Sequence, residues 1–373
     1  MILDRSDQNP GARLLLVLAC VVVVVHGIRL AAPILLPSSL ALFLAVLSLP
    51  IMMELQKRRI PSTLAIAITV LVNVAVFGLL ILLAAQSFSQ LQDQLPRYLV
   101  RLQELQERWV SDLEAFMGLE ISDYLFNDVI NPPAVVDFVG SAVGRIAQVL
   151  TMTFVVFLIM IFMLGEATVF PAKARAILGL ADGDENRMAK VVGEVQSYLG
   201  IKTVVSLATG LILGSWAYVM QLDFPVLLGV LAFLLNYVPT VGSIIASVPA
   251  ILLSLVLHGT LAHALVVGGG YAVVNTLFGN ILEPNLMGRR LGLSTLVVIL
   301  SLLFWGWAWG PLGALLSVPL TVVVKIWLEN TQDLRWVAVL LDKEPPRPTS
   351  PLGGPSPDSS SPPPDVPDAA PAG

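Results

Sequence analysis

The residues best suited to chemistry in this chain sit where long apolar runs are interrupted. Asn236-Tyr237-Val238-Pro239-Thr240-Val241-Gly242 breaks the run from Phe224 to Leu257. Gly306-Trp307-Ala308-Trp309-Gly310-Pro311-Leu312-Gly313 breaks the run from Leu291 to Leu328. Between them come Asn275, Asn280 and Glu283. These are amides, hydroxyls, indoles and a carboxylate, so the chemistry they offer is hydrogen bonding to a polar solute and charge exchange at Glu283. Proline removes a backbone donor and frees a carbonyl, while glycine permits the turn. In lipid, unwound backbone must find its partners in protein or in a water-filled cavity. Broken membrane helices in corresponding places therefore point to a solute pathway.

Each residue also has a plainer reading. Asn236, Tyr237, Pro239, Thr240 and Gly242 could form only a tight hairpin turn, with Asn236 capping a helix end. The two readings are compatible. Asn275 and Glu283 are eight apart and share roughly one helical face. An ionisable group inside a membrane segment reads as functional by default. Glu283 also lies close in sequence to Arg289 and Arg290, so an interfacial ion pair is the competing reading. Trp305, Trp307 and Trp309 form an interfacial belt if their stretch crosses the membrane. If it re-enters, they lie deeper and line the route with Gly310 and Pro311. Asp223 reads as a helix N-cap, and Lys325 as a snorkelling side chain.

The elements that hold these residues are membrane helices. The chain has 373 residues, 56% hydrophobic and 13% charged. Soluble domains carry about 25% charged residues, so this is an integral membrane protein. Its one cysteine, Cys20, excludes an intrachain disulfide, and no Cys/His framework for a metal is present. Runs of about 20 apolar residues occur at 13–31, 33–53, 61–86, 147–165, 203–221 and 261–282. The first lacks a small-residue cleavage site at its end and reads as a retained span. Lys57, Arg58 and Arg59, then Lys173, Arg175, Arg187 and Lys190, then Arg289 and Arg290 fall in loops on one side. By the positive-inside rule both termini are cytoplasmic and the polar insert 87–146 is outside.

Five regions follow: a three-span bundle (1–86), the helical insert (87–146), a fourth span with its linker (147–200), a core with both broken stretches (201–335), and a Pro/Ser-rich tail (344–373). In the insert, Leu91, Leu95, Tyr98, Leu102, Leu105, Trp109, Leu113 and Phe116 recur at helical spacing. That stripe is either a packing face or a solute-capturing surface. The tail's composition cannot build a core. The two broken stretches resemble each other, each carrying Pro, then Gly, then an apolar run ending in Ser-Val-Pro. The fold class is an all-α membrane protein of about six full spans plus two broken hairpins. If the hairpins re-enter from opposite faces, the arrangement is an inverted repeat.

Asn236 to Gly242, Pro249, Gly279 to Gly288 (Gly-Asn-Ile-Leu-Glu-Pro-Asn-Leu-Met-Gly), Leu302 to Gly306 and Gly310 to Leu320 resemble the autoinducer-2 exporter family of bacterial membrane proteins. The resemblance spans about residues 13–335, with its specific motifs from 190 onward. It implies a homo-oligomeric permease of the bacterial inner membrane that exports a small polar solute, autoinducer-2 among the candidates. Sodium(lithium)/proton antiport is the alternative it implies, with sodium or a proton as coupling ion. A channel or a scaffold is a further class. The expected partners are membrane lipid, the solute and other copies of the chain, with no cofactor and no nucleic acid. Nothing points to an enzyme: His-Glu-x-x-His, a Gly-x-Ser-x-Gly elbow and the phosphate-binding Gly-x4-Gly-Lys-Ser/Thr loop are all absent.

Overall fold

The computed structural model describes residues 10–117, 132–167, 169, 173, 182–239, 241–287, 293–330, 337, 340 and 341. The tail 344–373, Thr240, Arg289 and Arg290 lie outside the described residues. Among those described, the chain is helical and contains no β-strand, as an all-α membrane protein should be.

The helices, in order, are α1 (Pro10–Leu30), α2 (Ala32–Lys57), α3 (Ser62–Met117), α4 (Pro132–Ala167), α5 (Asp182–Val219), α6 (Pro225–Leu235), α7 (Val241–His258) and α8 (Leu261–Asn275). A π-helical segment, Thr276–Leu282, leads from α8 into α9 (Glu283–Met287). The last helix, α10 (Thr295–Asn330), is interrupted at Gly310. Seven stretches among the described residues are long and apolar enough to cross a membrane, with α1 and α6 as shorter apolar helices.

Prolines mark several starts. Pro10, Pro132 and Pro225 stand first in α1, α4 and α6, where a missing N–H leaves no bond unmade. Helix α3 differs from expectation. The span at 61–86 and the striped insert helix form one unbroken helix of 56 residues, with Pro96 inside it. No glycine or turn signal separates the two, so the helical ladder continues out of the apolar zone.

Lipid tails are as apolar as leucine, so burial alone does not hold such helices together. Close contact between small residues and a few polar links do. Ala41, Ala45 and Ala65 are buried with Met160 and Leu164 where α2, α3 and α4 meet. Asn73 of α3 donates to Ser48 of α2 at 3.0 Å. In the core, Gly210 and Gly214 of α5 face Gly229 of α6. A Cβ on Gly210 would stand 2.7 Å from the Gly229 carbonyl oxygen, so the backbones touch. Phe43 of α2 packs with Tyr198 and Leu199 of α5 and with Leu316, Val318 and Val322 of α10, joining the bundle to the core.

Both broken stretches are hairpins. Helices α6 and α7 run antiparallel, with Leu228 and Ala232 buried beside Ala246 and Ala250. In α10, the Ser301 hydroxyl donates to the Ser317 carbonyl at 2.8 Å, and a Cβ on Gly313 would meet the Trp305 carbonyl. The arms 295–309 and 311–330 therefore fold back on each other at Gly310.

The two hairpins point in opposite directions. The α3 extension lies across the open end of the first. The Tyr98 hydroxyl donates to Asp223 at 2.6 Å, Arg101 donates to the Leu257 carbonyl at 3.0 Å, and Leu105 lies beside Gly259. Its tip thus points away from the insert. The tip of the second hairpin meets the end of α1, where Trp309 Nε1 donates to the Ile28 carbonyl at 3.1 Å. That end of α1 leads into the start of α2, across the membrane from the α2–α3 turn, and so lies on the insert side. At 11 residues, α6 is about 16 Å long, too short for a hydrocarbon core of about 30 Å. Its partner arm α7, at 18 residues, is by contrast long and apolar enough to cross. Asp223 is not the expected N-cap. Phe224 takes that place with φ 58°, and Asp223 binds Tyr98 instead.

Candidate functional site

The first break closes only because of its residue types. Pro239 offers no donor, and a Cβ on Gly242 would fall 1.8 Å from the Leu235 carbonyl oxygen, so no other residue fits there. The end of α6 and the start of α7 meet at this tip. That places a helix C-terminus and a helix N-terminus together, and the turn between them is closed by backbone bonds from Val238 N to the Leu235 carbonyl and from Gly242 N to the Val238 carbonyl.

Helix α5 supplies the wall facing the tip. Tyr198, Lys202, Ser206 and Thr209 recur on one face and are all buried. Asn236 donates from Nδ2 to Ser206 Oγ at 3.0 Å. The Tyr237 hydroxyl donates to Thr203 Oγ1 at 2.8 Å, and its ring stands edge-on to Phe233. Beside these bonds, Lys202 Nζ meets both oxygens of Glu283, at 2.6 and 2.8 Å. Side-chain exposure is 3% for Lys202 and 17% for Glu283, so this is a buried ion pair. Taking both charges out of water costs several kcal/mol per ion, and only tight geometry offsets it. Thr209 Oγ1, further along the same face, is buried without a hydrogen-bond partner.

The expected site residues divide into groups. Asn236, Tyr237, Pro239 and Gly242 lie at the tip, and Glu283 joins them through Lys202. Thr240 is outside the described residues. Asn275 is half-buried, with its Oδ1 directly over Gly279. Asn280 is exposed on the π-helical segment. Trp305 is buried in the second hairpin, where its Nε1 donates to Thr321 Oγ1 at 3.1 Å. Thr321 in turn bonds Ser301. Gly310 and Pro311 form the tip of that hairpin, near the end of α1. Trp307 is exposed, and the Arg29 guanidinium sits 4.7 Å from its ring centroid, the belt arrangement. Lys325 does not snorkel into the open but is 7% exposed.

Sequence reasoning missed Tyr198, Lys202, Thr203, Ser206 and Thr209. A signal was there. Tyr198, Lys202 and Ser206 are spaced by four, and a lysine at the mouth of an apolar run calls for a partner among the few membrane carboxylates. Glu283 had been matched with Arg289 and Arg290 because those are its neighbours in sequence. His258 and His263 stay apart from the cluster, stacked at 3.7 Å at the insert-side end, with His263 Nδ1 2.8 Å from Ser254 Oγ.

Comparison with known proteins adds a lineage. The family described as AI-2E family transporter matches residues 18–333. The chain is 38% identical over 342 residues to the AI-2 transport protein TqsA of Escherichia coli (strain K12), covering 89% of this chain and 96% of that protein. A Haemophilus influenzae relative, named "Putative transport protein", is 36% identical over 334 residues, covering 88% and 96%. YhhT of Escherichia coli (strain K12), given the same description, is 36% identical over 349 residues, covering 94% and 99%.

Proposed function

Since this chain belongs to the AI-2E family of transporters, and is a membrane transport protein and not an enzyme, we propose that it exports a small polar solute by secondary transport across the bacterial inner membrane. The solute passes the tip of the first hairpin, and autoinducer-2, the ligand in the name of TqsA, is the first candidate. One observation carries the reading: buried hydroxyl, amide, phenol and charged groups lie together around the tip of the first hairpin, between apolar helices. Polar groups in lipid are costly and mark substrate and ion pathways. The residues of the path are Asn236, Tyr237, Pro239, Thr240 and Gly242 of the first broken stretch, with Asn275, Asn280 and Glu283. Trp305, Gly310 and Pro311 form the counterpart on the second hairpin. Both termini face the cytoplasm, and the working unit is a homo-oligomer.

Proteoliposomes loaded with autoinducer-2 test this. Saturable efflux, and faster efflux with unlabelled solute outside, are expected. Efflux that never saturates indicates a channel, and its absence in the presence of ion exchange indicates sodium(lithium)/proton antiport. The Lys202–Glu283 pair favours that second reading, because a buried carboxylate is where a proton or cation would bind.

A further inference from the structure

We propose that Thr209 and Trp216 of α5 and Tyr271 of α8 bind the solute on the insert side of the first hairpin tip, and that the ligand they fit is a small uncharged compound carrying several hydroxyl groups. This rests on the reading of that tip as the solute's path. It adds the groups that hold the solute beyond the tip and the class of compound they accept. None of the three belongs to a broken stretch.

Three buried polar atoms mark the place. Thr209 Oγ1, Trp216 Nε1 and the Tyr271 hydroxyl are buried without a hydrogen-bond partner among the described residues. Thr209 and Tyr271 are each 3% exposed. A polar group taken from water without a partner costs stability. A hydroxyl on a membrane helix can avoid that cost by turning back onto the carbonyl four residues earlier. Thr69, Thr203, Ser215 and Thr276 do so here. Thr209 lies on α5 between Thr203 and Ser215 and does not, so its hydroxyl is left for another partner.

The three share one seam. The Trp216 indole lies on Gly270 of α8, where a Cβ would stand 2.2 Å from Nε1. Tyr271, the next residue, is buried in one cluster with Leu213 and Ala217 of α5. Lys202 meets Glu283 just past the π-helical segment, so α5 and α8 run antiparallel along this length. Thr209 lies midway between Lys202 and Trp216, about 10 Å from each along the helix. Ser206, which holds Asn236 of the tip, is one turn before Thr209. Asn236, Ser206, Thr209, Tyr271 and Trp216 thus follow one another from the tip toward the insert side. The types of group fix the class of ligand. A threonine hydroxyl and a phenol each donate and accept, and an indole N–H only donates. A compound with several hydroxyls answers all three. An ionised group does not. The charges at the tip end of this seam, Lys202 and Glu283, are closed on each other, and an unpaired charge in an apolar seam costs far more than a hydroxyl.

Variants that keep shape and remove one polar atom separate binding from packing. Thr209→Val and Tyr271→Phe each delete a hydroxyl that makes no bond within the protein, so neither should lower the melting temperature of the full-length chain in detergent. In proteoliposomes, the autoinducer-2 concentration that half-saturates counterflow should rise about three- to tenfold in each, the worth of one hydrogen bond. Thr209→Ser, which keeps the hydroxyl, should hold the value of the unaltered chain. Ribose should compete in counterflow and ribose 5-phosphate should not. Unchanged half-saturation in both variants overturns the site. So does a loss that comes with a lower melting temperature and is shared by Thr209→Ser. Competition by the phosphate, or by neither sugar, overturns the assignment of an uncharged polyol. Counterflow absent from the unaltered chain removes the solute path and this site with it, whereas normal counterflow with unchanged variants removes the site alone.

Discussion

Lys202 and Glu283 stand 81 positions apart in the chain and within 2.8 Å in the fold. Their coupling should show in stability. Lys202→Met or Glu283→Met alone leaves an unbalanced buried group and should cost about 3–5 kcal/mol. Replacing both, Lys202→Met with Glu283→Met, should cost far less than the sum. A double-mutant cycle on thermal unfolding in detergent reads this directly, and additive losses would mean that the pair does not interact. Asn236→Ala should lower autoinducer-2 efflux at unchanged membrane abundance, since it removes the Nδ2 donor on Ser206 and an amide from the tip. At this scale the sequence displayed residue types but not pairings. Glu283 stood out as a membrane carboxylate. Its partner did not, because Lys202 falls at the edge of an apolar run and only the folded core brings the two together.

Among elements, the two hairpins were the most legible, because proline and glycine inside an apolar run leave few alternatives. Gly242→Ala should prevent the first tip from closing, given the 1.8 Å approach of a Cβ to the Leu235 carbonyl oxygen. Gly310 adopts φ 72° and ψ −157°, a region essentially reserved for glycine, so Gly310→Ala should cost about 1–3 kcal/mol. Gly269→Ala is the control. A Cβ there meets nothing within 4 Å, and it should leave the yield and melting temperature of purified protein unchanged. Losses of equal size at all three positions would show that the effect is general to glycine and not to the turns. The π-helical segment was not legible, because nothing in Thr276–Leu282 marks an i→i+5 ladder. The continuity of α3 through span and insert was not legible for a related reason. A change of polarity resembles a boundary, yet the α3 ladder passes through it.

For the whole molecule, the opposed hairpins fit the inverted arrangement suggested by the two Ser-Val-Pro stretches. Sidedness has a direct check. Thr260→Cys, in the exposed turn between α7 and α8, and Arg59→Cys, in the turn between α2 and α3, should react with an impermeant reagent from opposite faces. In the proposed orientation, which follows from the positive charges at Lys57, Arg58 and Arg59, the second of these reacts from the cytoplasmic face. Reaction of both from one face would overturn the topology.

Helix α3 also has a mechanical consequence. From the α2–α3 turn to Tyr98 it runs about 54 Å as one helix, with Pro96 near its far end. A tilt of one degree at the turn moves Tyr98 by about 1 Å, and Tyr98 is bonded to the loop that starts the first hairpin. The helix is a rod with its longer part in the bilayer and its extension resting on the transport core. Small changes in bilayer thickness or lateral pressure would reach the mouth of the hairpin through a rod and not through a chain of side chains.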